Sequence, residues 1–188
     1  MTPALLIGLS LIVGACTTQG ARLSGTELAA RDAPDFTLTD GITGEPITLS
    51  SLRGNVVAMA FLYTHCPDVC PLTAAKFRAA QTQLVSDASR VRFIAVSVDP
   101  EGDTPAAVRA FSAAHDLKDI WRYLIGPRAA LAAVWSAYGV GAFAAPTGPT
   151  VNHNDAIYII DARGREREVV HSDIAVTDLV ADLRSLMR

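Results

Sequence analysis

The sequence predicts an α/β domain of three layers, in which a central mixed sheet is flanked by helices. Residues 55–63 and 90–98 are nearly unbroken apolar runs, as expected of parallel strands that are buried on both faces. Each run is followed by a segment with helical features, at 72–85 and 104–115. Strands that alternate with helices and end in a hairpin and a last helix favour this architecture.

The elements before the second apolar run are predicted from local patterns. Residues 35–40 alternate apolar and polar side chains, which is typical of a strand, and residues 47–49 resume a short strand after a glycine turn. Residues 50–54 are expected to form a helical turn closed by a glycine. The first long helix is predicted to begin at the Cys70-Pro71 boundary, because a residue before proline avoids helical angles and proline suits the first helical position. Its apolar side is predicted to consist of Leu72, Ala75, Phe77, Ala79, Ala80 and Leu84.

The later elements follow in the same way. Thr104 is predicted to cap the second helix, residues 119–125 to be extended, and residues 127–138 to form an alanine-rich helix that ends at Gly139. A loop rich in glycine, alanine and proline runs to residue 149. A strand at 156–160 and its hairpin partner at 166–170 come next. The closing helix, 176–188, is predicted to bury Leu179, Val180, Leu183 and Leu186.

Length and charge limit the kinds of partner. The 188 residues suggest one domain and a leader, and 50% hydrophobic with 19% charged residues supplies a core. The net charge is -3, and the densest basic stretch, 163–167, is interrupted by a glycine and a glutamate. Nucleic acid is therefore not expected as a partner.

The leader resembles a bacterial lipoprotein signal. Residues 4–15 are apolar but shorter than the roughly 20 residues that span a bilayer, and they fit a secretory signal. Residues 12–16 resemble a lipobox, in which small residues precede a cysteine, here Cys16, that is lipidated and becomes the new N-terminus. An ordinary signal peptide with an incidental cysteine is the alternative, and the first four residues lack the usual basic charge.

These features predict a signal peptide at 1–15, a polar tether at 16–32 and a folded domain at 33–188. The domain is expected to be exported to the periplasmic face of a bacterial membrane and anchored there through Cys16. In that oxidising compartment a close pair of cysteines drifts to a disulfide unless a thiol reductant keeps it open.

Cys66 and Cys70 form the only cysteine pair of the predicted domain. They lie where an apolar run ends and a helix begins, a position that matches the thioredoxin-like plan, and the helix N-terminus and His65 both favour thiolates. The spacing permits a disulfide but differs from Cys-x-x-Cys. Two cysteines make only half a zinc site, whereas Cu(I) is satisfied by few, soft ligands. A structural disulfide, a redox centre and a soft-metal site all remain open from these residues.

His153 is the best candidate for a third metal ligand among the four histidines. It interrupts the chain just before a predicted buried strand, and in a thioredoxin-like fold that loop lies beside the cysteine loop. His65 is too close in sequence to Cys66 to turn easily onto the same metal. His115 is predicted to cap a helix end or to be solvated, and His171 to lie on the surface.

Residues 64–71, Thr-His-Cys-Pro-Asp-Val-Cys-Pro, resemble the signature of the Sco/SenC family. Three further segments agree in order and spacing: residues 34–36, residues 96–105 (Val-Ser-Val-Asp-Pro-Glu-Gly-Asp-Thr-Pro), and residues 151–153 ahead of 157–161. The resemblance covers about residues 33 to 185. It implies a thioredoxin-like, membrane-attached copper protein that is needed to assemble the copper sites of cytochrome c oxidase.

The resemblance also implies roles for particular residues. Cys66 and Cys70 would be the thiolate ligands of copper, as Cu(I), Cu(II) or both, and His153 the imidazole ligand. The family often has aspartate before this histidine, where this chain has Asn152. Asp68 and Asp99 match acidic positions near the family's site, although both also fit turn-forming or capping roles.

Two functions follow from the resemblance. The first is a copper-binding assembly factor that passes copper to a subunit of cytochrome c oxidase or to another copper acceptor. The second is a thiol–disulfide oxidoreductase, with Cys66 and Cys70 as its catalytic residues, that keeps oxidase cysteines reduced. A peroxidase is disfavoured because no Thr-x-x-Cys nucleophile is present, and a structural disulfide leaves His153 without a role. Whether the protein is an enzyme stays open.

Overall fold

The computed structural model describes residues 22–117, 120–141 and 155–187, and the backbone alone of residues 143–144 and 151–152. Its elements, in chain order, are β1 (Thr26–Glu27), β2 (Thr37–Asp40), β3 (Pro46–Thr48), β4 (Val56–Leu62), α1 (Val69–Leu84), β5 (Val91–Ser97), α2 (Pro105–Ala114), β6 (Trp121–Ile125), α3 (Arg128–Ala137), β7 (Phe143–Ala144), β8 (Val151–Asn152), β9 (Ile157–Ile160), β10 (Glu166–Val170) and α4 (Val176–Ser185). Short 3-10 helices occupy Leu49–Leu52 and Val85–Arg90.

Eight of these strands form one mixed sheet, in the order β1-β10-β9-β4-β5-β6-β2-β3. The pairs β4–β5 and β5–β6 are parallel, and the other pairs are antiparallel. Strands β7 and β8 form a separate antiparallel pair. The predicted α/β architecture, a central mixed sheet flanked by helices, is confirmed.

The core lies on both faces of the parallel centre of this sheet. All seven residues of β4 are buried, and so are six of the seven in β5. On one face, α1 packs the Phe77 ring against Phe93 and Trp121, with ring centroids 4.9 and 6.1 Å apart. Full burial of one such side chain contributes about 1.5–3 kcal/mol. These contacts fix α1, and with it the start of that helix, against the end of β4.

Strand β9 runs antiparallel beside β4, with Ile157 opposite Ala60 and Ile160 opposite Val57. The first residue of β9 therefore lies near the last residues of β4. The chain enters β9 through Asp155 and Ala156. These two residues lie at the same end of the strands as the cysteine loop, which follows β4. This register brings two segments about ninety positions apart in sequence to one end of the molecule.

The start of α1 was predicted wrongly. The helix begins at Val69, so Pro71 is its third residue rather than its first. Proline is tolerated there because the N–H groups of the first turn have no partner within the helix.

The apolar side of α1 was also predicted wrongly in part. Leu72 is 57% exposed and Ala75 is exposed as well, whereas Cys70, Thr73 and Ala74 are buried. Leu72 is five residues before Phe77, which at 3.6 residues per turn rotates it about 140° away from the buried ring. The large Phe77 side chain sets the phase of the helix, and the many alanines allow either side to look apolar in sequence.

Most other predicted elements are confirmed. The Thr104 side chain accepts a hydrogen bond from the Ala107 amide (3.2 Å), and Gly139, with φ of 64°, follows α3. The α4 residues predicted to be inward are all buried: Leu179, Val180, Leu183 and Leu186. Strand β1 was not predicted, and it lies in the segment assigned to the tether.

The loop predicted before β9 falls largely outside the described residues, as does the leader with Cys16. Over the part of the chain that the structure describes, no helix combines the length and apolar character needed to cross a membrane.

Candidate metal and redox centre

The cysteine loop connects the end of β4 to the first turn of α1. Its backbone is held from three sides: the Val98 amide donates to Leu62 O (2.9 Å), the Cys66 amide to Tyr63 O (3.3 Å), and the Thr64 amide to Asp103 Oδ1 (2.8 Å). The loop thus leaves a buried strand, turns tightly and enters a packed helix. Cys66 lies in the turn and Cys70 in the helix.

Both cysteines are free thiols, and both are buried, Cys66 at 8% and Cys70 at 0% exposure. Their side chains are hydrogen-bonded to each other. Burial raises the pKa of the Cys70 thiol far above its usual range, and the Cys66 hydrogen bond and the negative charge of Asp103 add to this, while a hydrogen bond from the Tyr63 backbone opposes it. Cys70 therefore keeps its proton until a metal or a second sulfur replaces that proton.

Asp68 occupies the N-cap position of α1 and is exposed, but its side chain makes no capping hydrogen bond. The position agrees with the predicted capping role, although the capping bond itself is not made. The positive end of the helix macrodipole consequently lies beside the two sulfurs without neutralisation by a capping side-chain hydrogen bond.

Asp103 is a buried acid below the cysteine loop that the sequence analysis did not single out. It is 2% exposed and accepts hydrogen bonds from the Thr64 amide (2.8 Å), the Ser97 hydroxyl (2.6 Å) and the Tyr123 hydroxyl (3.1 Å). Burial raises the pKa of Asp103, and these hydrogen bonds oppose the rise. The one sequence signal for it was its place in the Asp-x-x-x-Asp segment that resembles the family.

Asp99 and His65 complete the surroundings of the loop. The Asp99 side chain accepts from the Gly102 amide (3.1 Å), which confirms its turn-forming role. His65 is exposed, with Nδ1 3.2 Å from Thr64 Oγ1. One potential ligand atom from each of His65, Asp99 and Asp103 lies within 4.8 Å of the others. Of these three, Asp103 acts on the cysteine pair through its charge, which helps to raise the pKa of Cys70.

Two of the remaining histidines, His115 and His171, lie among the described residues. His115 follows α2 as its C-cap residue and stacks near Phe111, with ring centroids 4.5 Å apart. His171 is exposed, as predicted, and its Nδ1 contacts the Asp155 carbonyl. His153 lies outside the described residues. Of the predicted site residues, the structure brings together Cys66 and Cys70, with Asp99 close by.

A free dithiol at the end of a central parallel strand and the start of the next helix, in a mixed sheet with helices on both faces, defines a thioredoxin-like protein with a two-cysteine centre. The sequence profile of the SCO1/SenC family matches residues 24–188. The chain belongs to this family.

Relatives and solved structures agree with this membership. A SCO1 protein homolog from Bacillus subtilis is 37% identical over 84 residues, which are 44% of each protein, so the match spans less than half of that relative's length. The structure of Bradyrhizobium japonicum ScoI with copper bound superposes with a TM-score of 0.75 at 33% identity, over 83% of this chain and 99% of that one.

Two further structures share the fold. A SCO1/SenC family lipoprotein from Bacillus anthracis has a TM-score of 0.78 at 24% identity, over 89% of this chain and all of that one. The structure of BsSco has a TM-score of 0.71 at 25% identity, over 85% of this chain and 95% of that one. BsSco is described as a member of the Sco family of cytochrome c oxidase assembly proteins, in which a disulfide switch was identified.

Proposed function

We propose that this protein is a copper-binding assembly factor that carries Cu(I) and delivers it to a copper-site subunit of cytochrome c oxidase or to another copper acceptor. The observation that carries the proposal is the hydrogen-bonded pair of free thiols, Cys66 and Cys70, in a chain that belongs to the SCO1/SenC family. Two relatives support copper as the metal and oxidase assembly as the process. The structure of B. japonicum ScoI was solved with copper bound, and BsSco is described as a member of a family of cytochrome c oxidase assembly proteins.

The chemistry of the donors suits Cu(I). Thiolates are soft ligands, and a Cu(I) ion needs few of them. Copper would displace the thiol protons, and a Cu(I) ion held by two thiolates carries one net negative charge, which the positive N-terminal end of α1 is placed to stabilise. No rearrangement of the cysteine backbone is required, since both side chains already share one hydrogen bond.

We assign the third ligand to His153. Strand β9 starts beside the end of β4, as the Ala60–Ile157 pair shows, so the segment that precedes β9 in sequence enters from the cysteine end of the sheet. His153 is four residues before Ile157. A site of two thiolates and one imidazole leaves copper open to an incoming ligand, and delivery can then proceed by ligand exchange.

The test is a Cu(I) titration of the intact chain under anaerobic, reducing conditions with a competing chelator. Wild type is compared with Cys66→Ala/Cys70→Ala, with His153→Ala, and with His171→Ala as a matched histidine control on the exposed surface. The expected result is one-to-one binding that the cysteine variant loses, that His153→Ala weakens about tenfold or more, and that His171→Ala leaves unchanged.

Equal weakening by the two histidine variants, or binding that survives loss of both cysteines, contradicts the proposed ligand set. Weak binding by wild type itself, together with rapid thiol–disulfide exchange, favours the second candidate, an oxidoreductase that reduces oxidase cysteines. The close contact of the sulfurs supports that candidate as well, since Cys66 and Cys70 would close a disulfide after exchange. In that case a thiol reductant must reopen the pair.

We further propose that the domain is exported and held at the membrane by a lipid on Cys16. The lipobox-like residues 12–16 support this, as does the description of the B. anthracis relative as a lipoprotein. Mass spectrometry of the mature protein checks it: a diacylglyceryl adduct at Cys16 is expected, and an unmodified N-terminus at another residue contradicts it.

A further inference from the structure

The first described residues are attached to the domain by an unusual contact. Strand β1 pairs with β10, with Glu27 opposite Glu168, and Leu23 is 9% exposed. In the two residues between Leu23 and β1, the Ser24 amide donates to Asp182 Oδ2 (3.1 Å) and the Gly25 amide donates to Glu168 Oε1. Two carboxyl groups, one from β10 and one from α4, therefore hold the backbone of residues 24–25.

These two carboxyl groups are buried together. Glu168 is 0% and Asp182 3% exposed, and their side chains are hydrogen-bonded to each other. Glu168 Oε2 is buried, and no donor reaches it among the described residues. Two carboxyl groups bond each other only when a proton lies between them, so the contact between Glu168 and Asp182 requires one shared proton.

No described cation neutralises the pair. Glu27 of β1 acts on Glu168 and Asp178 of α4 acts on Asp182, and both add negative charge. Arg167, the neighbour of Glu168 on β10, directs its guanidinium to Asp161. Burial, reinforced by the neighbouring acids and opposed by the Gly25 amide, raises the pKa of Glu168 to about 7, and burial also raises the pKa of Asp182.

The backbone approaches the pair as closely as a glycine allows. A Cβ on Gly25 would lie 2.5 Å from Val169 O and from Val170 Cγ1, and 2.8 Å from Glu168 Oε1. Such distances do not occur for real side chains, so residue 25 must lack one for the segment to dock. The contact is built for the backbone of residues 24–25.

We propose that Glu168 and Asp182 form a proton-dependent clasp, which holds residues 23–27 on the domain while the pair shares a proton and releases them when both carboxyl groups ionise. With the proton present, the two carboxyl groups bond each other. Without it, two adjacent negative charges repel, and both gain hydration if the segment lifts. The clasp acts apart from the cysteines, so it does not depend on copper binding.

The direction of the pH effect follows from the raised pKa values. The docked state binds the proton more tightly than the released state, in which an ordinary glutamate pKa of 4.5 applies. Docking is therefore strongest at low pH and weakens as pH rises through about 7. Release would detach residues 23–27 from the sheet, and an extended chain gains roughly 3.3 Å of reach for each residue detached.

The test is amide hydrogen exchange of the intact chain at about pH 6 and about pH 8.5, with rates corrected for the intrinsic effect of pH. Protection of the Ser24 and Gly25 amides should fall about tenfold between these values, as a docked pKa near 7 requires. The amides of β4 serve as the internal reference for global opening. Glu168→Gln should keep full protection at both pH values, because the amide donates to Asp182 and accepts from Gly25.

Two more variants complete the design. Asp182→Asn should also abolish the pH dependence, and it answers the question if Glu168→Gln fails to fold. Gly25→Ala should lose protection at both pH values, while Glu27→Gln, which removes one of the acids that raise the pKa of Glu168, should make the fall in protection smaller without abolishing it. The clasp is refuted if wild-type protection is the same at both pH values, if the β4 amides change in parallel, or if both amide variants lose protection at high pH as wild type does.

Discussion

At the scale of single residues, the two cysteines differ in what they need before they react. Cys70 is fully buried and its thiol pKa is raised by burial, by Cys66 and by Asp103, so its proton is hard to remove. Cys66 retains 8% exposure and lies in the turn ahead of the helix. If the pair carries out thiol–disulfide exchange, the second candidate function, we expect Cys66 to be the sulfur that attacks and Cys70 the one that closes the disulfide.

The raised thiol pKa predicts how copper affinity depends on pH. Cu(I) binds thiolates, so each coordinating cysteine releases a proton, and the apparent affinity rises with pH for as long as the thiol pKa exceeds the pH. The protonated Cys70 thiol should raise the affinity by about tenfold per pH unit near neutrality, and the slope reaches about a hundredfold if the second coordinating thiol also releases a proton. Competition titrations at three pH values, with the chelator's own protonation corrected, measure this slope.

Cys70→Ser is the control for that slope. It removes the thiol with the raised pKa, so the rise in affinity should become about tenfold smaller per pH unit. A copper affinity of wild type that does not change with pH would mean that the sulfurs are already thiolates in the free protein.

At the scale of elements, α1 joins the dithiol to the core through Phe77. Phe77→Ala should lower the free energy of unfolding by about 3–5 kcal/mol, because it leaves a cavity against Phe93 and Trp121. Leu72→Ala, on the exposed side of the same helix, should change it by less than about 0.5 kcal/mol. Denaturant unfolding of both variants measures the difference. Equal losses of unfolding free energy would contradict the burial of Phe77 and the exposure of Leu72 described for α1.

The elements also show what sequence can and cannot predict. Strand β4 was predictable because its seven consecutive apolar residues form an unmistakable run, and β5 because it is apolar except for Arg92 and Ser97. Leu72 was misplaced because an alanine-rich helix has two faces of similar hydropathy, and only the contacts of Phe77 decide between them. Strand β1 is two residues long and carries no periodicity, so nothing local distinguishes it from a tether.

At the scale of the whole molecule, Asp103 joins segments that are distant in sequence. Its carboxylate accepts from the cysteine loop at Thr64, from the end of β5 at Ser97 and from β6 at Tyr123. The closeness of the two cysteines was predictable from their spacing, whereas their role as copper ligands stays a prediction that rests on the family resemblance. The contacts of Asp103 were not predictable, because its partners Thr64 and Tyr123 are 39 and 20 residues away and no local pattern indicates them.

Asp103→Ala should lower the free energy of unfolding by about 3 kcal/mol, since three buried donors lose a charged acceptor. Asp68→Ala removes an exposed carboxylate four residues after Thr64 that makes no capping bond, and should change stability by less than about 0.5 kcal/mol. Thermal and denaturant unfolding compare the two. An Asp103→Ala protein as stable as wild type would show that water replaces the lost acceptor.

The position of β9 determines when the central sheet can be completed as the chain folds. This strand comes from the last fifth of the chain, yet it lies between β4 and β10, and its pairing joins Val57 to Ile160. Because a chain is made from its N-terminus to its C-terminus, Cys66 and Cys70 appear long before β9. Until then the sheet has an open edge at β4, and the two thiols meet their surroundings without the neighbouring strand. The dithiol of a newly made chain is thus most vulnerable to oxidation before the last fifth of the protein arrives.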